Sequence, residues 1–305
     1  MRNPFNVQPM PIPHILIALF VVAIWSFNFI AIKVGLAELP PIFMAAVRFA
    51  LTALPAVFFI KPPAAPFWRV TAYGMLVFGL QFGLLFYGMA IGMSAAVGAL
   101  ALQLSVFVTI GLAWAFRGER MTTLQFVGAG VSALGLVVIA THTGGDLTLA
   151  GLLFGLAAAA CWGAGNIVGK SLGKVDMLAL VVWSSMAAPL PLFVLSYIVE
   201  GPQRIAHGVQ NVSWLGIGAV AYIVYASTHV GYSLWAWLMA RHPAGMVAPF
   251  TLLGPVVAAL FSAWLLGETF PGWKIGAGLL VLAGLLVNVF GGRVLALVRP
   301  RPVAS

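Results

Sequence analysis

The stretch FVVAIWSFNFIAIK, residues 20–33, is almost entirely apolar, yet Trp25, Ser26 and Asn28 interrupt its middle. It belongs to a longer apolar run that reaches the roughly 20 residues a helix needs to cross a bilayer. Hydrocarbon offers no water to a buried amide, so an Asn at this depth must turn toward protein or a wet cavity. The stretch therefore predicts a transmembrane helix with one polar side that faces inward.

The composition extends this interpretation to the whole chain. Of its 305 residues, 62% are hydrophobic and 7% are charged, whereas soluble domains carry about 25% charged residues. No soluble fold of this length buries so much apolar surface, so we expect lipid to surround most of the chain. The net charge of +9 comes from single basic residues in short loops, which indicates membrane orientation rather than nucleic-acid binding. The single cysteine, Cys161, excludes an internal disulfide and a cysteine-based zinc site.

Breaks at proline, glycine and charged residues divide the chain into ten predicted transmembrane helices. They cover residues 14–34, 41–60, 69–91, 94–115, 122–141, 148–169, 177–199, 213–239, 243–266 and 273–297. We place the N-terminus in the cytoplasm, because only Lys33, Arg204 and Lys274 then lie outside, and Arg48 lies within a helix. This bias toward cytoplasmic Lys and Arg follows the positive-inside rule. It predicts a multi-pass protein of the inner membrane with both termini in the cytoplasm.

The second half of the chain repeats features of the first. Trp25 in the first helix has a counterpart in Trp162 of the sixth. The stretch FRGERMTTLQFVGAGVSALG, residues 116–135, is similar to LLGETFPGWKIGAGLLVLAG, residues 265–284. The chain is therefore predicted to consist of two repeats of five helices each.

An odd number of helices in a repeat inverts the next one. We expect a cytoplasmic N-terminus at residues 1–13, a first repeat at 14–141 and an inverted second repeat at 148–298. Glu119 then lies on the cytoplasmic side and Glu268 outside. Inverted repeats are characteristic of alternating-access transporters, which bind substrate near the midplane between the halves. The predicted fold class is an all-α integral membrane protein with ten transmembrane helices in two inverted five-helix repeats.

These features resemble the EamA family of ten-helix metabolite exporters, within the drug/metabolite transporter superfamily. The resemblance covers nearly the whole chain and rests on the paired repeats, on Trp25 and Trp162, and on the Gly-Glu turns at Glu119 and Glu268, while Arg48 in the second helix also fits. It implies export of small metabolites, often amino acids, through a cavity walled by helices 1, 3, 4, 6, 8 and 9. The chain departs from the family pattern in the fourth helix. The ninth helix has the expected proline, Pro255, but Val106 occupies the matching position of the fourth. The two halves therefore need not bend equally.

Polar and aromatic residues mark the first helix of each repeat as candidate substrate-binding sites. Trp25 and Trp162 lie away from the interfacial belts where tryptophan usually anchors a helix, and an indole N–H at that depth needs a partner. Asn28 and Asn166 follow about one turn later on similar faces. These four side chains either hold helices together or form the wall of a substrate cavity.

Arg48 lies inside the second helix. A buried cation at that depth costs several kcal/mol unless it is paired or hydrated. No Asp or Glu lies within any predicted span to pair with it. The guanidinium either reaches the outer headgroups, binds backbone carbonyls at a helix end, or serves as the counter-ion of a substrate carboxylate.

Three further helices carry more polar groups than hydrocarbon favours. Their candidate substrate-binding residues are Tyr222, Tyr225, His229 and Tyr232 in the eighth helix, Gln81 and Tyr87 in the third, and Gln103 in the fourth. The four residues of the eighth helix recur at helical spacing and are predicted to share one face. They either line the substrate cavity or make structural hydrogen bonds. Histidine is the side chain type whose charge ordinarily changes near neutral pH, so His229 is either a proton-coupling group or a neutral histidine that both donates and accepts.

The motifs that are missing limit the possible functions. The sequence has no P-loop, no carboxylate within a span, no Ser–His–Asp set and no histidine cluster at metal spacing. We therefore expect no enzymatic activity, cofactor, metal or nucleic-acid partner; the partners are a small-molecule substrate and the lipid bilayer, and a monomer is compatible with the sequence. The predicted function is secondary export of amino acids or related metabolites, with aromatic and thiol-bearing amino acids as candidates. A carrier of sugar-phosphates or amphipathic drugs, a channel and a membrane enzyme are the alternatives.

Overall fold

The computed structural model describes residues 10–119, 122–142, 147–242 and 244–298. Within these residues, nine helices are long and apolar enough to cross a membrane, and a tenth span results when the bent pair Pro202–Asn211 and Trp214–Arg241 is counted as one. We label the spans α1 (Ile12–Leu36), α2 (Pro41–Phe58), α3 (Phe67–Ala90), α4 (Ala95–Phe116), α5 (Thr123–Thr141), α6 (Leu149–Lys170), α7 (Met177–Val199), α8 (Trp214–Arg241), α9 (Ala248–Leu266) and α10 (Gly272–Gly291).

The all-α fold class is confirmed, and the described residues form nine to ten apolar spans, in agreement with the ten predicted transmembrane helices. Pro202–Asn211 forms a separate helix that is bent by 102° from α8. The predicted cytoplasmic N-terminus lies outside the described residues as far as residue 9, and so do Arg120 and the terminal Arg299 and Arg301. Orientation in the membrane therefore continues to rest on the distribution of basic residues along the sequence.

Local sequence signals begin and end several of these helices. Thr122 begins α5 with a capping box, in which its hydroxyl accepts from the Gln125 backbone N–H while the Gln125 side chain accepts from the Thr122 N–H. Asp176 caps α7 by accepting from the Ala179 N–H at 2.7 Å. The Gly-Glu turns end α4 and α9, where the glycine adopts a left-handed conformation that favours glycine. The φ angles are +66° at Gly118 and +65° at Gly267.

Glycine-rich faces hold α5 and α10 together. A Cβ added at Gly284 would collide with the carbonyl oxygen of Gly128, and one at Gly135 would lie 2.7 Å from the carbonyl oxygen of Ala277. The Ser132 hydroxyl donates to the carbonyl of Val281 at 3.1 Å in the same contact. Close helix packing through small residues is therefore the role of these glycines, as their spacing predicts.

Several spans near the centre of the bundle are irregular. Wide π-helical turns occupy Met75–Leu80 in α3 and Tyr222–Val230 in α8, and these two spans are counterparts in the inverted repeats. The helix in α4 is interrupted at Leu104, and α9 begins with a 3-10 segment before Gly254. The helix is therefore irregular near the middle of α4 and in the first turns of α9, although Val106 of α4 replaces the proline found at Pro255 of α9.

Carboxylates join helices at the end of the bundle that the positive-inside rule places outside, which we call the outer end. Glu268, just after α9, accepts from the Ala95 N–H at the start of α4 at 2.9 Å. Glu38 accepts from the N–H and the hydroxyl of Ser213, each at 2.6 Å, at the start of α8. Glu200 accepts from the first N–H groups of α2. A helix N-terminus favours a negative charge, so these contacts stabilise the packing of the outer end.

Candidate functional site

A cavity of about 520 Å³ lies in the middle of the bundle, among α1, α3, α4, α6, α8 and α9, with single residues from α2 and α7. Its volume lies within the range of roughly 300–1,000 Å³ that is typical of small-molecule sites. The helices that wall it include all six that the family resemblance implies. The cavity is the candidate substrate site.

The cavity extends toward the inner end of the bundle, opposite to the outer end. Its lining includes Met177 and Ala248, which begin α7 and α9 at the inner end. In contrast, the outer half of α4, residues 95–102, is buried throughout. The cavity therefore reaches the inner end of the bundle, whereas carboxylate contacts join the helices at the outer end.

Most of the candidate binding residues meet in this cavity. Those that line it are Trp25, Asn28, Arg48, Gln81, Gln103, Trp162, Asn166 and Tyr232. Four others lie outside its lining: Tyr87, Tyr222, Tyr225 and His229. Tyr87 packs against Phe154 with ring centroids 5.0 Å apart, and Tyr222 donates to the carbonyl of Ile24 at 3.0 Å.

The four predicted residues of α8 do not all face the cavity, because a π-helical segment changes their spacing. The prediction used 3.6 residues per turn, whereas a π-helix bonds residues five apart. Only Tyr232 of the four reaches the cavity, while Tyr225 is 52% exposed on the outside of the bundle. The side chains of Thr228 and His229 contact carbonyls five residues earlier in the chain, which shows the wider turn directly.

Trp25 contacts α8 across the cavity. Its indole N–H donates to the backbone carbonyl of Ser227 at 3.0 Å. Its ring lies 5.4 Å from Tyr232 and 5.2 Å from Trp235 between centroids. Gly231 permits this approach, since a Cβ there would lie 2.6 Å from the Trp25 Nε1. The three rings form an aromatic wall on one side of the cavity.

The two asparagines have different environments. The Asn166 Nδ2 donates to the Thr109 hydroxyl at 3.1 Å and joins α6 to α4, so it holds helices together while it lines the cavity. The Asn28 side chain is 6% exposed, and its Oδ1 has no hydrogen-bond partner among the described residues. Ser26, beside it on α1, donates to the carbonyl of Gly254 at 3.0 Å.

Arg48 is enclosed at the side of the cavity and does not extend to the headgroups. It is 2% exposed, and its Nη2 donates to the Thr228 hydroxyl at 3.2 Å. Its guanidinium lies 4.1 Å from the centre of the Phe82 ring, a distance at which a cation is attracted to the ring face. Nε and Nη1 are buried without a hydrogen-bond partner in the described part of the chain. The partner of Arg48 is thus a hydroxyl, and neither a headgroup nor a helix-end carbonyl satisfies it.

Sequence reasoning missed several residues of the cavity wall. They are Ser227, Trp235, Met177, Tyr73 and Ala248. None of the described lining residues is acidic, and the described residues contain no group of three or more metal-ligating side chains. The polar part of the cavity therefore consists of amides, hydroxyls and one cation.

Comparisons with known proteins agree with this architecture. The model of the EamA-like transporter family matches residues 12–141 and 149–290, one copy in each half. A "Probable amino-acid metabolite efflux pump" from Salmonella typhimurium is 36% identical over 284 residues, which cover 91% of this chain and 95% of that protein. A protein of the same description from Escherichia coli is 35% identical, with 91% and 95% covered. A crystal structure that is 18% identical in sequence superposes with a TM-score of 0.61 over 93% of this chain and 98% of that one, so it has the same fold.

Proposed function

The chain belongs to the EamA-like transporter family, and from this premise we propose that it is a secondary transporter that exports amino acids or related small metabolites. Two relatives that match nearly the whole chain are described as probable amino-acid metabolite efflux pumps. The central cavity and the paired repeats support alternating access as the mechanism. The protein works in the inner membrane with both termini in the cytoplasm, and it performs no enzymatic reaction.

The observation that carries the proposal is the guanidinium of Arg48. It is the one charged side chain among the described residues that line the cavity, and two of its nitrogens have no partner there. A buried cation at this depth is costly unless an anion or water meets it. A planar guanidinium binds a carboxylate through two parallel hydrogen bonds. Arg48 is therefore the group that recognises the substrate carboxylate, after a small movement that exposes its free N–H groups.

The remaining wall favours a neutral substrate side chain. Trp25, Tyr232 and Trp235 supply an aromatic surface, and Trp162 of α6 also lines the cavity. A basic side chain would find no carboxylate among the described lining residues and would be repelled by Arg48. Neutral amino acids with aromatic or thiol-bearing side chains fit this combination, with their carboxylate at Arg48 and their side chain against the rings.

The position of the cavity agrees with export. With the N-terminus in the cytoplasm, the inner end faces the cytoplasm, and substrate would enter the cavity from that side. The outer end is closed by the contacts of Glu38, Glu200 and Glu268. Export then requires the outer end to open while the inner end closes.

The test compares binding of an amino acid with binding of its amide, which lacks the carboxylate charge. Arg48→Ala should weaken binding of the acid by about 1.5–3 kcal/mol, the range for hydrogen bonds to charged groups, which is roughly ten- to a hundredfold. Binding of the amide should change much less, and Arg48→Lys should restore little because an ammonium cannot form the two-pronged contact.

The control is Arg69→Ala, because Arg69 donates to the Ser171 carbonyl on the exposed surface, away from the cavity. This variant should keep the wild-type ratio of acid to amide affinity. An unchanged ratio in a folded Arg48→Ala protein would remove Arg48 from the binding site and would contradict the proposed carboxylate recognition.

A further inference from the structure

The ring of His229 lies between two carbonyl oxygens. Its Nδ1 is 3.0 Å from the carbonyl oxygen of Val224 in α8, and its Nε2 is 3.0 Å from the carbonyl oxygen of Thr52 in α2. A carbonyl oxygen only accepts hydrogen bonds, and a neutral imidazole has one N–H to donate. Both contacts are hydrogen bonds only if both ring nitrogens carry a proton. The hydrogen-bond partners therefore indicate that the His229 ring is in its charged form, with a proton on each nitrogen.

The position of each acceptor favours a positive charge. Thr52 lies in the last turn of the α-helix Pro41–Ala53, where backbone carbonyls lack partners within the helix and the helix dipole attracts cations. Val224 lies in the π-helical segment of α8, whose wide turn brings its carbonyl under the ring of His229. The ring of Tyr225 stacks at 5.7 Å between centroids, within the distance at which an aromatic face attracts a cation.

The other charged and titratable groups on α1, α2 and α8 determine how strongly a positive charge on His229 is repelled or stabilised. Arg48 is the one cation of α2, and it binds Thr228, the residue beside His229. On α8, Tyr222 and Tyr232 contact α1, and Arg241 lies at the inner end. On α1, His14 contacts His242 at the inner end of the bundle, and Lys33 donates to the Met89 carbonyl at the outer end. The sequences of α1, α2 and α8 contain no Asp or Glu, so the two carbonyls and the ring of Tyr225 must stabilise the charge against repulsion by Arg48.

We propose that His229 is a proton-binding site that couples transport to the movement of a proton across the membrane. The inference rests on the proposed function, because coupling has meaning only for a transporter. With the proton bound, Nε2 donates to Thr52 and joins α8 to α2. When these spans separate, Nε2 loses its acceptor, the proton passes to water admitted between them, and the ring becomes a neutral imidazole that still donates from Nδ1 to Val224.

The proton and the substrate act on the same helix contact. Arg48 and Thr52 lie one turn apart on α2, where the Thr52 hydroxyl donates to the Arg48 carbonyl at 2.9 Å. Thr228 and His229 are neighbours on α8: the Thr228 hydroxyl accepts from Arg48, and the His229 Nε2 donates to the Thr52 carbonyl. A carboxylate that binds Arg48 draws it from Thr228 and at the same time changes the charge beside His229. The α2–α8 contact is thus the element through which substrate binding and protonation influence each other.

The first test observes the proton on the protein alone. Nitrogen NMR of protein labelled at histidine, with the His229→Gln spectrum subtracted, isolates His229 from the other four of the five histidines in the chain. The expected result at neutral pH is that both ring nitrogens show the signal of a protonated nitrogen. One protonated and one unprotonated nitrogen at that pH would overturn the proposal, whatever the transport assays show.

The second test measures coupling in proteoliposomes with radiolabelled phenylalanine. In the wild type, a pH gradient should change net flux. In His229→Gln, which donates without titrating, the ratio of net flux with and without the gradient should fall to one, while counterflow at equal pH continues. His207→Gln, in the surface helix Pro202–Asn211, is the matched control and should behave as the wild type.

The outcomes separate the two proposals. Gradient-driven flux that persists in His229→Gln, or a wild type that ignores the gradient while it performs counterflow, would overturn the proton site and leave amino-acid transport standing. A wild type that performs no counterflow with any amino acid would contradict the proposed function, and the NMR result would then decide the protonation of His229 by itself.

Discussion

Glu268 is expected to control the opening of the outer end. Its Oε1 accepts from the Ala95 N–H at 2.9 Å and links α9 of the second repeat to α4 of the first. Its Oε2 is buried without a hydrogen-bond partner in the described part of the chain, so the contact depends on one charge-assisted bond. A hydrogen bond to a charged group contributes about 1.5–3 kcal/mol, whereas a neutral bond contributes about 0.5–1.5 kcal/mol.

Glu268→Gln keeps an acceptor oxygen but removes the charge, so closure should weaken by about 1–1.5 kcal/mol. This difference shifts the equilibrium toward the state with an open outer end by about five- to twelvefold. The assay measures the rate at which an impermeant thiol reagent, added outside, labels a cysteine placed at Ala99, which lines the cavity. The background is Cys161→Ser, because Cys161 is the single native cysteine. Labelling should accelerate in proportion to the shift.

The inverted repeat supplies the matched control. Glu119 occupies the equivalent position after α4, and it pairs with Lys170 at 3.5 Å at the inner end. Glu119→Gln removes a charge at the other end of the bundle and should not accelerate labelling from outside. A folded, transporting Glu268→Gln protein with the labelling rate of the wild type would refute the view that this carboxylate holds the outer end closed.

Two further predictions concern stability. Gly284→Ala should destabilise the packing of α5 against α10 by about 1–3 kcal/mol, the usual cost of overpacking, because the added Cβ would collide with a carbonyl of α5. Gly130→Ala meets open space and should be neutral, and unfolding in a denaturing detergent measures both variants. Hydrogen bonds from the side chain and then the backbone of Ser213 lower the pKa of Glu38, so its ionised form stabilises the fold above the pKa of the unfolded chain and loses this effect as the pH falls. Glu38→Gln should therefore melt below the wild type at neutral pH, and the difference should disappear on acidification; a difference that persists in acid would contradict this origin.

Much of the fold follows from the sequence because the bilayer imposes a local rule. A span must be apolar over about 20 residues and must satisfy its own backbone, so hydropathy and turn residues locate the spans within a few positions. The same rule makes polar residues at mid-span informative. Trp25 and Asn28 were predicted to face inward because lipid solvates neither, whereas three environments remained open for Arg48. The structure places all three residues on the cavity.

The arrangement of α8 was not predictable from residue spacing. A π-helical turn changes the register of every residue that follows it, and no single residue type announces it. The prediction therefore grouped Tyr225 with Tyr232, although one faces outward and the other faces the cavity. The prediction also omitted Trp235, which lies about one turn after Tyr232 in the regular helix and lines the cavity beside it. A cluster of polar residues at mid-span shows that a helix has polar contacts, but the partner helices determine which residues face the substrate.

The Gly-Glu turns show how two equivalent sequences acquire different structural roles. Glu119 and Glu268 each follow a left-handed glycine at the end of the fourth helix of a repeat. Glu268 accepts a hydrogen bond from the Ala95 N–H at the start of α4, at the outer end. The Glu119–Lys170 pair is about half exposed, at 49% and 45%, near the inner end. Alternating access in a transporter with inverted repeats moves one repeat against the other around a fixed site. If this chain works as proposed, opening of the outer end should expose Glu268 and bury Glu119, and the accessibility of a cysteine at each position measures the change.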